Sequence, residues 1–376
     1  MFLAIRELAF QRGRFVIMGA VIALIAILMV LLSGLAVGLT QDGVSGLQKI
    51  NVSSFAFQED VSESSAFSRS VVDISAVETW QEQPGVEHAA PFGNTLVNAR
   101  TNQGVEIDFA LFGVEQGSFI DPEVAQGSPI AGEGQVVISE TAAEEGVDIG
   151  DIIILEPTGF ELEVVGILDG QHTFGHVDVG YLSLTSWQEI RAGVRPGDVV
   201  PDHVYQEITA VAVKSESGSS VDLAAGDNAA GTTSLTLTDS FNASPGFTAE
   251  TSTLQLIQAF LYGISALVVG AFFTVLTIQR QPEIAVIRAM GASTFYLLRD
   301  SLLQSLVLLV VSAGIGIAIG LAGGAAIATT SMPFALEFGP IIAATVLLLL
   351  LGLIGAGVAI VRITRVDPLT ALGGSR

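Results

Sequence analysis

The sequence predicts a membrane α-helical protein with four transmembrane helices and an α+β extracytoplasmic domain between the first and second spans. Of its 376 residues, 50% are hydrophobic and 14% are charged, which is typical of membrane proteins. The charge is uneven, because residues 40–250 hold 33 of the 38 Asp and Glu residues but only six of the 15 Lys and Arg residues. The acidic balance therefore belongs to one domain, and the remainder is a nearly neutral membrane body.

Four uncharged runs are long enough to cross a bilayer, for which a helix needs about 20 apolar residues. They cover residues 15–40, 251–279, 301–336 and 338–361. A buried core helix is the alternative for any single run, but four such runs favour the membrane. The third run exceeds one span, and Pro333 near its end predicts a short external turn.

Basic residues predict the direction of insertion, because Lys and Arg are enriched on the cytoplasmic side. Arginines precede the first span, lie between the second and third and follow the fourth, whereas the turn after the third has none. We therefore expect a plasma-membrane protein with both termini in the cytoplasm. A signal peptide is the alternative for the first span, but the run is too long and lacks an A-x-A-like cleavage site.

The first 14 residues are amphipathic and are expected to lie on the inner leaflet, with a frayed start of the first span as the alternative. The expected segments are an interfacial helix at 1–14, the first span at 15–40, the external domain at 41–250, the second span at 251–279, a cytoplasmic helix at 280–295, the third span at 296–328, an external turn at 329–339, the fourth span at 340–361 and a cytoplasmic tail at 362–376.

No enzyme motif is found in the sequence, since a phosphate-binding G-x-x-x-x-G-K-[ST] loop, H-E-x-x-H and G-x-S-x-G are all missing. The absence of cysteine excludes disulfides and Cys-ligated metals. His172 and His176 are four apart and on a helix would share a face suited to a metal. The segment QHTFGHVDVG (171–180) contains two glycines and several β-branched residues, which argue against a helix there, so a solvated pair is the alternative. No basic face suited to nucleic acid is present.

Small residues recur at four-residue spacing in two spans, at Gly34 and Gly38 in the first and at Gly316, Gly320 and Gly324 in the third. Such positions let helix backbones approach closely in lipid. They predict either tight packing within the chain or a dimer seam, and the sequence does not choose between these two.

The segment TIQRQPEIAVIRAMGASTF (277–295) and the tail RITRVDPLTALGG (362–374) are the most specific parts of the chain. Both resemble the cytoplasmic motifs of the MacB/FtsX-like ABC transporter permeases, whose layout of one span, a large external domain and three more spans also matches. The resemblance implies a homodimeric transport subunit without catalytic residues or an intrinsic cofactor. ATP would be bound by a separate cytoplasmic ATPase subunit.

The segment 280–295 reads as a short amphipathic helix that can dock on a soluble partner. Its apolar side can enter a groove, and opposite charges can fix the register. A plain connecting turn is the alternative. The candidate coupling residues are Glu283, Ile284, Ile287, Arg288 and Met290.

The N-terminus MFLAIRELAFQRGRF and the segment SGLAVGLTQD (33–42) look like the haem-exporting permeases of the HrtB type, although the DevC type is also close. The resemblance implies haem as substrate and Met29 as a candidate iron ligand, with gap filling between helices as the alternative role. Tyr262 is a further cavity candidate, and it can equally be a packing residue. The remaining candidates are His172, His176 and Tyr181 for haem, and Phe55, Phe57 and Phe247 for an apolar cavity wall. Apart from haem iron, no metal is expected.

We therefore expect ATP-driven haem efflux, in which the substrate enters laterally from the bilayer and motion is transmitted along the spans. Export of another amphiphile, such as a peptide antibiotic, macrolide or lipid, is one alternative. A signal transmitter that regulates a cell-wall hydrolase without transport is another. The spans carry none of the buried charges that commonly mark ion pathways, which argues against ion coupling.

Overall fold

A computed structural model describes residues 12–279 apart from 219, together with 290–291, 293–330 and 332–364. The chain divides into two compact units, a helical unit of Met1–Leu39 with Ser252–Arg376 and a domain of Thr40–Thr251. In chain order the described elements are α1 (Arg12–Gln48), β1 (Ser54–Gln58), α2 (Ala66–Arg69), β2 (Val72–Asp73), α3 (Ala76–Gln81), β3 (Val86–Thr101), β4 (Glu106–Val114), β5 (Val124–Gly127), β6 (Gln135–Ile138), α4 (Glu140–Glu144), β7 (Ile152–Glu156), β8 (Glu161–Leu168), β9 (Thr173–Phe174), β10 (Val177–Ser183), α5 (Leu184–Arg191), β11 (Glu207–Ile208), β12 (Ala210–Ser215), α6 (Leu223–Ala230), β13 (Thr232–Thr236), α7 (Leu237–Ser240), α8 (Phe247–Gln279), α9 (Thr294–Ile327) and α10 (Phe338–Thr364).

Four of these helices, α1, α8, α9 and α10, are long and apolar enough to cross a membrane. The α+β domain lies between the first and second of them in the chain, as the sequence predicts. Helix α1 continues to Gln48 and α8 begins at Phe247, so both extend beyond the uncharged runs. The extension of α1 has a packing cause, because Val44 and Leu47 are fully buried in the domain. Hydropathy detects only the part of a helix that is apolar on all sides.

Glycines bring α1 and α9 into close contact within the helical unit. A Cβ added at Gly316 would overlap the Ala23 carbonyl group, and one added at Gly320 would lie 2.9 Å from the Val30 Cβ. At the other end of the contact, a Cβ at Gly19 would lie 2.8 Å from the Ser312 Oγ. The glycines Gly316 and Gly320 therefore serve helix packing inside one chain, which decides the alternative that the sequence leaves open.

The domain is built on an eleven-stranded sheet with the order β13-β1-β12-β3-β4-β10-β6-β8-β5. Strand β7 pairs with both β3 and β8, and β9 pairs with β10. The pairs β4–β10 and β6–β8 are parallel, whereas the other pairs of this sheet are antiparallel. Since β3 pairs with β4 and β7, the strands β3, β4, β10, β6, β8 and β7 close into a ring.

The sheet separates two hydrophobic cores, and β4 shows why. Phe109 and Leu111 belong to one core, whereas Ala110 and Phe112 belong to the other. Successive side chains of a strand point to opposite faces, so a strand with packing on both faces is apolar at nearly every position. This explains the uninterrupted apolar run FALFGV.

The second core holds three aromatic residues that the sequence assigns to a haem site. Phe55 and Phe57 are 0% exposed and, with Phe67, pack ring against ring. Tyr181 is buried in the same core, and this burial raises the pKa of its hydroxyl. Phe55 and Phe57, which the sequence predicts to wall a substrate cavity, pack in this core of the domain.

His172 lies at the edge of this core, 8% exposed, with its ring edge-on to Tyr181 at a centroid distance of 6.5 Å. Its Nδ1 lies 3.2 Å from the Gly170 carbonyl oxygen. Burial, followed by the nearby Lys49 ammonium, lowers the pKa of His172 from 6.5 to about 4. The native domain therefore holds this imidazole neutral.

We predict that replacing Gly316 by Val lowers the free energy of unfolding by about 1–3 kcal/mol, because the new side chain overpacks the contact with α1. The matched control is Gly314→Val on the same helix, where an added Cβ meets no atom within 4 Å. Thermal unfolding of the purified full chain in detergent measures both. Equal unfolding temperatures for the two variants would contradict the close packing of α1 on α9.

We predict that His172 makes the protein less stable as the pH falls from 6.5 towards 4, because the unfolded chain takes up a proton that the folded chain refuses. The stability that the neutral imidazole contributes is fully present above pH 6.5, its pKa in the unfolded chain, and is lost as the pH falls to about 4, its pKa in the folded chain. The loss is about 1.4 kcal/mol for each unit by which the two pKa values differ. The variant His172→Phe should flatten the difference in unfolding free energy between pH 7 and pH 4. The exposed His203→Phe is the control, and an identical pH profile for wild type and His172→Phe would refute the prediction.

Candidate functional site

An apolar groove of about 410 Å³, which we call the domain-side groove, lies in the helical unit, in the half of the spans nearest to where the chain enters the domain. Its volume falls within the roughly 300–1,000 Å³ range of small-molecule sites. The groove is formed by α1, α8, the end of α9 and the turn that follows α9. Its lining residues are Leu28, Leu31, Leu32, Leu35, Ile257, Leu261, Ile327, Met332 and Phe334. Such a surface accepts a flat or chain-like apolar molecule.

The turn after α9 is fixed against α1 through two glycines of the first span. A Cβ at Gly34 would overlap the Phe334 ring, and one at Gly38 would overlap the backbone of Pro333. The Ala335 N–H donates to the Gly34 carbonyl oxygen at 3.1 Å. On the other side of Phe334, a Cβ at Gly324 would lie 2.9 Å from its ring. The three glycines therefore seat Phe334 as one end of the groove.

Met29 and Tyr262 lie in one hydrophobic cluster beside this groove. Met29 is only 5% exposed, and its cluster includes Ala26 on the same helix and Leu348 on α10. Tyr262 is partly buried and packs against the same cluster, and its neighbour Leu261 lines the groove. The structure thus brings together two candidates that are more than 230 residues apart in the chain, while burying the thioether in this conformation.

Within the domain, His176 joins the ends of two membrane helices. Its Nδ1 lies 2.7 Å from Asp42 Oδ2 on α1, and its Nε2 lies 3.0 Å from Glu250 Oε2 on α8. Nε2 makes no well-aligned hydrogen bond to any described residue, so Glu250 is a close neighbour of the ring and not a hydrogen-bond partner. We name Asp42, His176 and Glu250 the junction. The sequence suggests His176 as a haem residue and carries no signal for the two carboxylates.

A tight backbone turn places His176 at the junction. Gly175 and His176 have φ angles of 61° and 67°, a left-handed conformation that costs a non-glycine residue energy and that surrounding contacts must hold. The Gly175 N–H donates to the Gly43 carbonyl oxygen at 2.9 Å, and the Ser244 hydroxyl donates to the same oxygen at 2.8 Å. The turn is therefore anchored on the last turns of α1.

Polar contacts farther along α1 reinforce this anchoring. The Ser45 and Thr173 hydroxyls are 2.8 Å apart in a buried position, and the Thr173 N–H donates to the Ser45 Oγ at 2.9 Å. The Gln171 amide donates to Asp42 Oδ1 at 2.9 Å. Buried hydrogen bonds of this kind are costly to break, so the end of α1 and the segment 171–176 form one stiff piece.

The two histidines of QHTFGH diverge because the segment is a hairpin of β9 and β10 rather than a helix. His172 faces the aromatic core, whereas His176 faces the helix ends. Among the described residues, no group of three His, Asp or Glu side chains is placed to hold a metal ion. The helical metal pair that the spacing allows is therefore not formed.

Phe247 starts α8 and packs its ring against Phe241 at a centroid distance of 6.2 Å. A Cβ added at Gly43 would lie 3.4 Å from the Phe247 ring, so Phe247 also belongs to the packing of the helix ends.

The coupling candidates Glu283, Ile284, Ile287 and Arg288 lie outside the described residues. Met290 is 75% exposed, and Gly291 has φ 95°, which is suited to the end of a helix.

Comparison with protein families accounts for both parts of the chain. A family model described as the MacB-like periplasmic core domain matches residues 15–229. A second, described as the FtsX-like permease C-terminal region, matches residues 256–368. The first alone covers more than half of the chain. The extracytoplasmic placement of the α+β domain follows from this match.

Relatives extend over the whole chain. A protein of Staphylococcus epidermidis named putative hemin transport system permease protein HrtB is 26% identical over 100% of this chain and 99% of its own length. Its Staphylococcus haemolyticus namesake is 24% identical, with 99% of each chain covered. The solved extracellular domain of the ABC-type transporter YknZ is 16% identical, covers 49% of this chain and 98% of its own, and has a TM-score of 0.35. By its two matched regions, the chain belongs to the MacB/FtsX-like family of ABC transporter permeases.

Proposed function

We propose that this permease exports haem, which enters laterally from the outer half of the bilayer and is driven out by the movement of the spans. The observation that carries the proposal is the apolar groove bounded by α1, α8 and Phe334. Haem is flat and largely apolar and partitions into bilayers, so an apolar groove within the spans suits it. The hemin transport names of the staphylococcal relatives support the same substrate.

Met29 and Tyr262 are the iron-ligand candidates that the geometry favours. Both lie in the cluster beside the groove, and a thioether or a phenolate can ligate haem iron. Because Met29 is buried, ligation requires the contact between α1 and α10 to open. His172 and Tyr181 are less suited, since each belongs to the closed core of the domain. His176 is already engaged by two carboxylates.

The driving force comes from a separate ATPase subunit in this proposal. Two permeases pair, both termini face the cytoplasm, and the ATPase docks on the coupling segment 280–295. Closure of the ATPase subunits moves α8 and α9, which flank the coupling segment in the chain. The junction supports transmission of this movement, because His176 contacts the extension of α1 and the start of α8. The domain then moves as the helix ends move, and the substrate is released outside.

We predict that the purified protein binds haemin and shows a Soret band, and that Met29→Ala shifts the band or weakens binding about tenfold. Met18→Ala is the matched control, because Met18 is a buried methionine at the other end of α1. Leu31→Trp, which fills the groove, should weaken binding, whereas Ile17→Trp on an exposed position of the same helix should not.

Absorption titration with haemin measures all four variants. A colourless wild-type protein that fails to bind added haemin would refute the haem proposal. Export of another amphiphile, or signalling to a cell-wall hydrolase, would then take its place.

We predict two distinct failures along the path of transmission. Glu283→Ala with Arg288→Ala should abolish co-purification of the ATPase subunit, because charge sets the register of the coupling segment.

His176→Ala should leave the ATPase bound but reduce haem efflux from proteoliposomes several-fold, because the junction no longer ties the helix ends to the domain. His88→Ala, at an exposed histidine of the domain, is the control. Intact co-purification in the first variant, or unchanged efflux in the second, would contradict the corresponding step.

A further inference from the structure

A second apolar groove lies in the helical unit, at the end of the spans remote from the domain-side groove. It has a volume of about 550 Å³ and is formed by the first turns of α9 and the last turns of α10. Its lining residues are Phe295, Arg299, Leu302, Leu303, Leu306, Leu350, Leu353, Ile354 and Gly357. All of these are apolar apart from Arg299.

The position of Arg299 distinguishes this groove from the domain-side one. Arg299 lies in the second turn of α9 and is exposed, so its guanidinium can stand at the membrane surface while its stem covers apolar neighbours. At the membrane surface the guanidinium can pair with an anionic group whose apolar part occupies the groove. The groove thus combines an apolar trough with one fixed cation.

Gly357 keeps the floor of the groove open. A Cβ added there would meet only the Leu302 Cδ2, at 3.9 Å, which is ordinary van der Waals contact. A larger side chain at 357 would therefore extend into the groove rather than into packed neighbours. In contrast, the glycines on the α1–α9 contact have no such space.

We propose that this groove binds an anionic phospholipid, with an acyl chain along the trough and the headgroup phosphate on Arg299. Guanidinium groups pair with phosphate by charge-assisted hydrogen bonds. The lipid would contact α9 and α10 directly beside the segment expected to receive the ATPase.

The inference does not rest on the exported molecule, since the two grooves share no lining residue. The volume of the groove that contains Arg299 is within the range of small-molecule sites. Bilayer lipids surround the membrane-facing surface of the spans, so they are the molecules most available to this groove. The single cation selects an anionic lipid over a zwitterionic one, because choline would place a second cation near Arg299.

Native mass spectrometry of the full chain in detergent tests the proposal, with dioleoyl phosphatidylglycerol and dioleoyl phosphatidylcholine as probes. The wild type should retain phosphatidylglycerol about fivefold more than phosphatidylcholine, as one fixed charge implies. Arg299→Gln should abolish this preference and Arg299→Lys should keep it. Arg14→Gln, which removes a charge elsewhere in the chain, should also keep it.

Filling the groove gives an independent arm of the same experiment. Gly357→Phe should reduce retention of both lipids severalfold, whereas Gly263→Phe on α8, where an added Cβ meets no atom within 4 Å, should not. If Gly357→Phe fails to fold, the comparison of Arg299→Gln with Arg299→Lys still decides. Equal retention of the two lipids by the wild type, or an unchanged preference in Arg299→Gln, overturns the proposal. Displacement of phosphatidylglycerol by haemin would also overturn it, since the groove would then belong to the transport path.

Discussion

The close approach of α1 to α9 is the constraint on which the helical unit depends. Lipid tails are as apolar as leucine, so the hydrophobic effect does not hold transmembrane helices together, and van der Waals packing between backbones takes its place. Gly316 and Gly320 allow this packing against Ala23 and Val30, and Gly34 and Gly38 continue it by receiving the turn with Pro333 and Phe334. Larger residues in place of Gly34 and Gly38 would overlap Phe334 and Pro333, so the turn could not pack against α1. The domain-side groove would then lose the Phe334 ring that forms one of its ends.

The domain solves a different problem, which is how to hold two helix ends that arrive from the membrane. Polar contacts do this, since they are directional and fix positions as well as distances. His176 lies between Asp42 and Glu250, while Ser45 and Thr173 join the same helix to the same hairpin from a buried position. The aromatic core around Phe55 and Phe174 backs the hairpin and leaves it little room to yield.

The two grooves of the helical unit differ in a way that suits two kinds of apolar ligand. The domain-side groove is entirely apolar and ends at Phe334. The other groove carries Arg299 at its edge. If the proposed export from the bilayer and the proposed lipid site both hold, the transported molecule and the lipid occupy separate grooves and do not compete.

The sequence by itself determined the four spans, the inserted α+β domain and the family, because long uncharged runs, charge distribution and the motifs at 277–295 and 362–374 are local properties of the chain. The resemblance to haem-exporting permeases singled out Met29, and residue type singled out Tyr262 and His176. Only the tertiary structure decided the surroundings of these residues. Met29 and Tyr262 belong to one cluster, and His176 contacts Asp42 and Glu250. Phe55 and Phe57 are buried in the domain core. The spacing of the glycines likewise permitted either packing within the chain or a dimer seam. The structure places Gly316 and Gly320 against α1 of the same chain. The physical reason is that packing and ion pairs join residues far apart in the chain, so their partners follow from the folded geometry and not from neighbours in sequence.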